Sequence, residues 1–176
     1  MTVGVIVRVP GQGAVLSCDG RVTAENGAIF ADADQKWGEF GSVVACCAGS
    51  LGGLWIDLRD SPPRNWKEFR ERITDLEASD HDRAYEILVY DRTKDRIIHT
   101  DHQGDMLSPG SSHGVIGCGG PLALGVLDAA KPPSSLEAAA KLATKAVKIA
   151  CKRNVFCGGR IRTVIVRGRK GAIEVR

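Results

Sequence analysis

Residues 2–23 read TVGVIVRVPGQGAVLSCDGRVT, and the reading of this stretch decides the fold. Val3, Val5, Val7 and Val9 alternate with Gly4, Ile6 and Arg8, the period of a β-strand. Pro10-Gly11-Gln12-Gly13 is a turn signal, so an opening pair of strands is predicted over 3–9 and 13–18. A threonine heads the first run directly behind Met1. Threonine begins strands well. It also carries a hydroxyl, and removal of Met1 would put an α-amine on the same residue.

Working outward, the apolar run from Ser42 to Ala48 ends in Ala48-Gly49-Ser50 and passes into Leu51, Leu54, Trp55 and Leu58, a helical spacing stopped by Pro62-Pro63. Asn65 with Glu68 reads as the cap of a second helix, whose Trp66, Phe69, Ile73 and Leu76 share one face. Residues 85–90 and 95–100 flank Asp91-Arg92-Thr93-Lys94 as a hairpin. His113 to Gly120 reads as a strand ending in glycines, followed by a helix over Pro121 to Ala130. Ser134-Ser135-Leu136-Glu137 then opens the clearest helix, with Leu136, Ala139, Ala140, Ala143, Val147 and Ala150 at helical spacing to about Arg153. Two last strands, near 161–167 and 171–175, turn at Gly168-Arg169-Lys170-Gly171. Strand groups alternating with helix groups predict an α+β chain in which two antiparallel sheets pack between helix layers. No repeat or linker divides it, so residues 1–176 read as one domain.

Composition excludes several classes. The chain is 43% hydrophobic and 26% charged, ordinary for a globular protein. No apolar run approaches the roughly 20 residues that span a bilayer, and no secretion signal is read, so a cytoplasmic protein with reduced cysteines and no membrane partner is expected. Cys18, Cys46, Cys47, Cys118, Cys151 and Cys157 contain no C-x-x-C pair, and His81, His99, His102 and His113 are scattered. Neither pattern predicts a metal site. The net charge of +3 is concentrated after Cys151, where eight Lys or Arg residues accompany one Glu. These basic residues alternate with Ile161, Val164, Val166, Ile173 and Val175, the pattern of a solvated strand face rather than a nucleic-acid patch. There is no G-x-x-x-x-G-K-[ST], so the chain does not itself carry a P-loop for ATP, and no cofactor is expected.

Taken in order, Thr2 to Arg8, Cys18-Asp19-Gly20-Arg21-Val22-Thr23, Ala48-Gly49-Ser50 and Ile116-Gly117-Cys118-Gly119-Gly120-Pro121 resemble a proteasome β-type subunit, and more closely the bacterial HslV-type peptidase. The resemblance spans nearly the whole chain. It implies the four-layer αββα sandwich of the N-terminal nucleophile hydrolases and a threonine endopeptidase. It also implies stacked rings, two hexamers, fed with unfolded polypeptide by a hexameric AAA+ unfoldase ATPase.

In that family the threonine hydroxyl attacks the peptide carbonyl while its own α-amine, with an ordinary pKa of about 7.7–8.0, takes the proton. By resemblance Thr2 is the nucleophile. Lys36, the cation that favours the deprotonated hydroxyl, is paired with Asp19, and Gly49 offers the oxyanion a backbone N–H. Cys47 would floor the pocket for the substrate side chain. Asp19 sits in an intact Asp-Gly-x-Val-Thr context, whereas Lys36 follows Asp32-Ala33-Asp34-Gln35, less basic than the family run. Cys118 stands where the family commonly has a serine; it is a weaker donor with a larger sulfur. The stretch Ile149 to Asn154 lacks the aspartate and serine of proteasome subunits proper, as HslV-type chains do. Three other readings remain open from the sequence: a catalytically silent subunit of the same fold, a small-molecule amidase using the same N-terminal chemistry, and, less favoured by the alternation after Cys151, a nucleic-acid binder using the basic tail.

Overall fold

The computed structural model describes residues 2–23, 28–31, 36–49, 58–79, 85–101, 111–168 and 171–176. Met1, Asp32 to Gln35, Ser50 to Asp57 with most of the first expected helix, His81, His102 and the Arg169-Lys170 turn lie outside them.

The opening pair of strands forms the centre of the larger sheet. Strand β1 (Gly4–Val9) pairs antiparallel with β2 (Gly13–Cys18) on one side and β9 (His113–Ile116) on the other. With β10 (Arg162–Arg167) and β11 (Ile173–Val175) the order is β11-β10-β2-β1-β9. A second sheet, β5-β6-β7-β8, contains β5 (Trp37–Phe40), β6 (Val43–Gly49), β7 (Tyr85–Asp91) and β8 (Arg96–Asp101). Strands β3 (Val22–Thr23) and β4 (Ile29–Ala31) make a small ladder of their own. Among the described residues, 58–60 are helical, and the helices with both ends described are α1 (Trp66–Ser79), α2 (Gly120–Asp128) and α3 (Leu136–Arg153).

The alternation along β1 sorts its side chains between two cores. Val3, Val5, Val7 and Val9 pack with Leu136, Ala139, Ala143 and Val147 of α3 and Ala123 and Leu127 of α2. Ile6 faces the other way and packs with Val44, Cys46, Leu88 and Tyr90 of the second sheet. Both faces are covered, which is why the run is apolar nearly throughout. A third cluster joins the far side of the second sheet, through Phe40, Ala45, Ile87 and Val89, to Leu58 and to Phe69 and Ile73 of α1. Burying a side chain of that size stabilises by about 1.5–3 kcal/mol. Alanines along the buried stripe of α3 let its backbone approach the sheet closely. At Gly4 a Cβ would lie 2.8 Å from Cys46 Sγ and from Ile116, so the glycine lets β6 and β9 close over the start of β1.

Local signals explain the boundaries. Ser135 Oγ accepts the N–H of Ala138 at 3.2 Å, capping α3, and Asn65 Oδ1 accepts the N–H of Glu68 at 3.1 Å, capping α1. The β7–β8 turn falls at 92–95, one residue later than expected. Asp91 stays in β7 opposite Val43, and its carboxylate accepts the N–H of Thr93, while Asp95 takes the positive φ of 47°. Strand β9 ends at Ile116 rather than Gly120, because Gly117 turns at a φ of 79° and α2 begins at Gly120. Strands β3, β4 and β5 were not expected. Leu58 and Phe69, from the two apolar helical spacings, are both fully buried and unavailable for contacts between subunits. Among the described residues no helix is long and apolar enough to cross a membrane.

Candidate active site

Thr2 precedes β1 and is almost completely buried. Its carbonyl accepts the N–H of Gly119 at 3.2 Å and the thiol of Cys118 at 3.7 Å, so the turn between β9 and α2 fixes the start of the chain. Gly117 is required there: a Cβ would sit 2.2 Å from Thr2 O and 3.3 Å from Ala48 Cβ. That distance also sets the end of β6 beside Thr2.

Asp19 follows β2 and is wholly buried. Its Oδ1 accepts the Val3 N–H at 3.1 Å, and its Oδ2 accepts the Gly158 N–H at 2.9 Å. These bonds fix the carboxylate in place between the start of the chain and the loop after α3. Lys36, just ahead of β5, brings the compensating cation, with its side chain 8% exposed. Its Nζ donates to Asp19 Oδ1 at 3.0 Å, to Thr2 Oγ1 at 2.8 Å and to the carbonyl of Arg21. An ammonium has three donors, and these acceptors match that number. The Thr2 hydroxyl therefore accepts from a cation, the arrangement that lowers the free energy of an alkoxide at that oxygen. The backbone of Lys36 is held in turn by the Cys47 N–H at 3.0 Å.

Of the residues singled out in the sequence, Thr2, Asp19, Lys36 and Cys118 come together. Gly49 does not join their hydrogen bonds. It ends β6 opposite Tyr85, exposed and with a φ of 92°, one residue beyond Ala48. Cys47 is half-buried, with its sulfur 3.7 Å from the Lys36 carbonyl.

Three supporting groups escaped the sequence reading: the Arg21 carbonyl, the Gly158 N–H and Asn154. Asn154 donates from Nδ2 to the Cys118 carbonyl at 3.0 Å, tying the end of α3 to the turn that holds Thr2. The Gly158-Gly159 pair was the one local sign of a tight turn there. Two buried thiols nearby are suppressed. Burial, reinforced by the Asp19 charge, pushes Cys18 up to about 12, and burial raises Cys46 well above its ordinary value. Neither competes with Thr2 as a nucleophile.

No curated protein matches the chain. Residues 84–166, which run from β7 through α3 to β10, match the family model described as Proteasome subunit, and that match supports a proteasome-type fold.

Proposed function

We propose that this chain is the threonine-type endopeptidase subunit of a self-compartmentalised protease, an N-terminal nucleophile hydrolase of the HslV type built as one four-layer αββα domain over residues 1–176. The observation that carries the reading is Lys36 Nζ at 2.8 Å from Thr2 Oγ1 while it is also paired with buried Asp19. The three apolar clusters, one between helices and sheet, one between sheets, and one between sheet and α1, agree with the layer order.

In the proposed reaction Met1 is removed and the α-amine of Thr2 takes the hydroxyl proton. Thr2 Oγ attacks the peptide carbonyl, and Lys36 stabilises the developing charge on the nucleophile. The N–H of Gly49 receives the oxyanion, and the amine returns its proton to the leaving amine. Water then releases the ester-linked acyl group. Asp19 pairs with Lys36 and orients it, and Cys118 helps to hold Thr2. The subunit works in the cytoplasm, in stacked rings of two hexamers. Unfolded polypeptide is fed by a hexameric AAA+ ATPase, since unfolding needs work the chain has no P-loop to supply. Leu122, Leu124 and Val155 are exposed apolar side chains available for contacts between subunits.

Intact mass, light scattering and hydrolysis of a fluorogenic peptide test the reading together. Ring-sized particles lacking Met1 that cleave the peptide are expected. A monomer of 18.8 kDa that still hydrolyses amide bonds would favour the small-molecule amidase, and rings that retain Met1 and cleave nothing would favour the silent subunit.

A further inference from the structure

Two thiols far apart in sequence meet beside Thr2. Cys118 lies in the turn between β9 and α2 and is exposed, whereas Cys157 lies in the loop after α3 and is buried; their Sγ atoms are 3.6 Å apart. Both segments are anchored on Asn154, whose Nδ2 donates to the Cys118 carbonyl at 3.0 Å and whose carbonyl accepts the Cys157 N–H at 3.1 Å. A disulfide has its sulfurs about 2.0 Å apart. Closure brings two sulfurs already in contact at 3.6 Å to bonding distance. We propose that Cys118 and Cys157 are an oxidisable pair, closed to a disulfide by hydrogen peroxide, and that closure slows the chemistry at Thr2.

The exposed sulfur reacts first. The Cys118 sulfur attacks one peroxide oxygen, the O–O bond breaks, and the departing hydroxide leaves as water with the thiol proton, giving a sulfenic acid. Cys157 then attacks the Cys118 sulfur. Its proton and the sulfenic hydroxyl depart as a second water, and the S–S bond forms. Two thiols have lost two electrons, and one peroxide has become two waters. An added dithiol reverses the step by thiol–disulfide exchange, becoming a disulfide itself. Burial, with the neighbouring Cys118, holds the Cys157 thiol well above its ordinary pKa and slows its reaction with free peroxide, whereas the Cys118 sulfur already lies 3.6 Å from it, so Cys157 resolves the oxidised Cys118 by proximity.

The position of the pair gives the consequence. Cys118 Sγ donates to the Thr2 carbonyl at 3.7 Å, and Cys157 immediately precedes Gly158, whose N–H holds Asp19. A disulfide sulfur has no proton to donate and draws these two supports toward each other. The thiol chemistry stands without the peptidase reading; only the slowed turnover rests on it.

The full-length protein, reduced and freed of reductant, is treated with hydrogen peroxide under native conditions, and remaining thiols are alkylated in denaturant. Expected are a mass lower by two hydrogens before alkylation, a Cys118–Cys157 linked peptide, a several-fold fall in turnover of a fluorogenic peptide, and reversal of all three by dithiothreitol. In Cys157→Ala, or Cys157→Ser if the alanine variant does not fold, the sulfenic acid should persist on Cys118 and be trapped by dimedone. A linkage through Cys151, or over-oxidation of Cys118 with Cys157 still free, overturns the pair. Disulfide formation with unchanged turnover overturns its coupling to Thr2. Failure of the reduced protein to cleave any peptide counts against the proposed function, while the mass measurement still decides the thiol pair.

Discussion

Each end of the paired sheets holds a buried cation, and the two are used differently. Where β1 starts, Lys36 divides its donors among Asp19, the Arg21 carbonyl and the hydroxyl of Thr2. Where β1 runs into its turn with β2, Arg92 donates to Gly168 O at 3.3 Å, Gly171 O at 2.6 Å and Glu39 Oε1 at 3.0 Å. Around Arg92 the turns are laced together: Asp95 accepts from Tyr90, from Gly11 N and from Arg8. Burying a cation is costly unless its donors find acceptors: the three donors of Lys36 have three, and each of the three nitrogens of the Arg92 guanidinium makes a bond. The Arg92 donors go to backbone carbonyls and a carboxylate, so this cation fastens the turns of two sheets. Lys36 instead gives one donor to a side-chain hydroxyl that no strand pairing requires. A buried cation aimed at such a hydroxyl can do chemistry, and one closed on backbone can only hold.

The largest effect belongs to the hydroxyl itself. Thr2→Ala is expected to reduce peptide hydrolysis to background while circular dichroism and the melting temperature stay near those of the parent, because the residue precedes β1. Retained turnover in that variant removes the distinction between the two ends.

The paired cation deletions come next. Lys36→Ala should lower kcat by roughly 10²- to 10⁴-fold with little change in KM, the range a positioned proton-transfer or charge-stabilising group supplies. Its stability cost should fall at or below the about 3–5 kcal/mol of a broken buried pair, since Asp19 keeps two backbone N–H partners. Arg92→Ala should do the reverse, leaving kcat unchanged and costing about 1–3 kcal/mol for carbonyls left unpaired. Denaturant titration and steady-state kinetics on both variants decide between these patterns, and equal kinetic losses would erase the contrast.

A smaller effect is the pH response of turnover. The α-amine must be neutral to accept the Thr2 proton, so the rate should be low in acid and rise through about pH 7.7–8.0, the ordinary range of that group. Lys36→Ala should lower the plateau and keep the rise. A profile flat from about pH 6 to 9 would mean that the amine is not the base.

The contrast was only half legible in the sequence. The alternation of Val3, Val5, Val7 and Val9, and the period of Leu136, Ala139, Ala143 and Val147, announced β1 and α3, because each buries one regular face. The meeting of Thr2, Asp19 and Lys36 came through the resemblance, with Lys36 favoured as the only lysine before Lys67. Strands β3, β4 and β5 are two to four residues long, too short for a period to show. Gly158, Cys157 and Asn154 reach the site by the return of the chain after α3, a long-range contact no local pattern encodes. Arg92 was expected in a turn, and nothing in Asp91-Arg92-Thr93-Lys94 marks it as buried; its burial depends on Gly168 and Gly171, more than seventy residues away.

The same chemical change made at the two carboxylates sharpens the contrast most finely. Asp19→Asn keeps the shape at the buried end but removes the charge opposite Lys36, where neither partner is more than 8% exposed. One face of the amide also presents N–H to a neighbouring donor, so a marked fall in kcat is expected, milder than for Lys36→Ala because some hydrogen bonding survives. Glu39→Gln is the matching change at the other end. Glu39 is 47% exposed, so water solvates its charge whether or not Arg92 is present, and the amide oxygen can still accept from the guanidinium. Exposed or half-exposed pairs contribute about 0.2–1 kcal/mol, so Glu39→Gln should shift the melting temperature slightly and leave kcat and KM unchanged. If thermal unfolding and kinetics show Glu39→Gln costing as much as Asp19→Asn, then Arg92 depends on charge as Lys36 does, and the division into a chemical end and a fastening end fails.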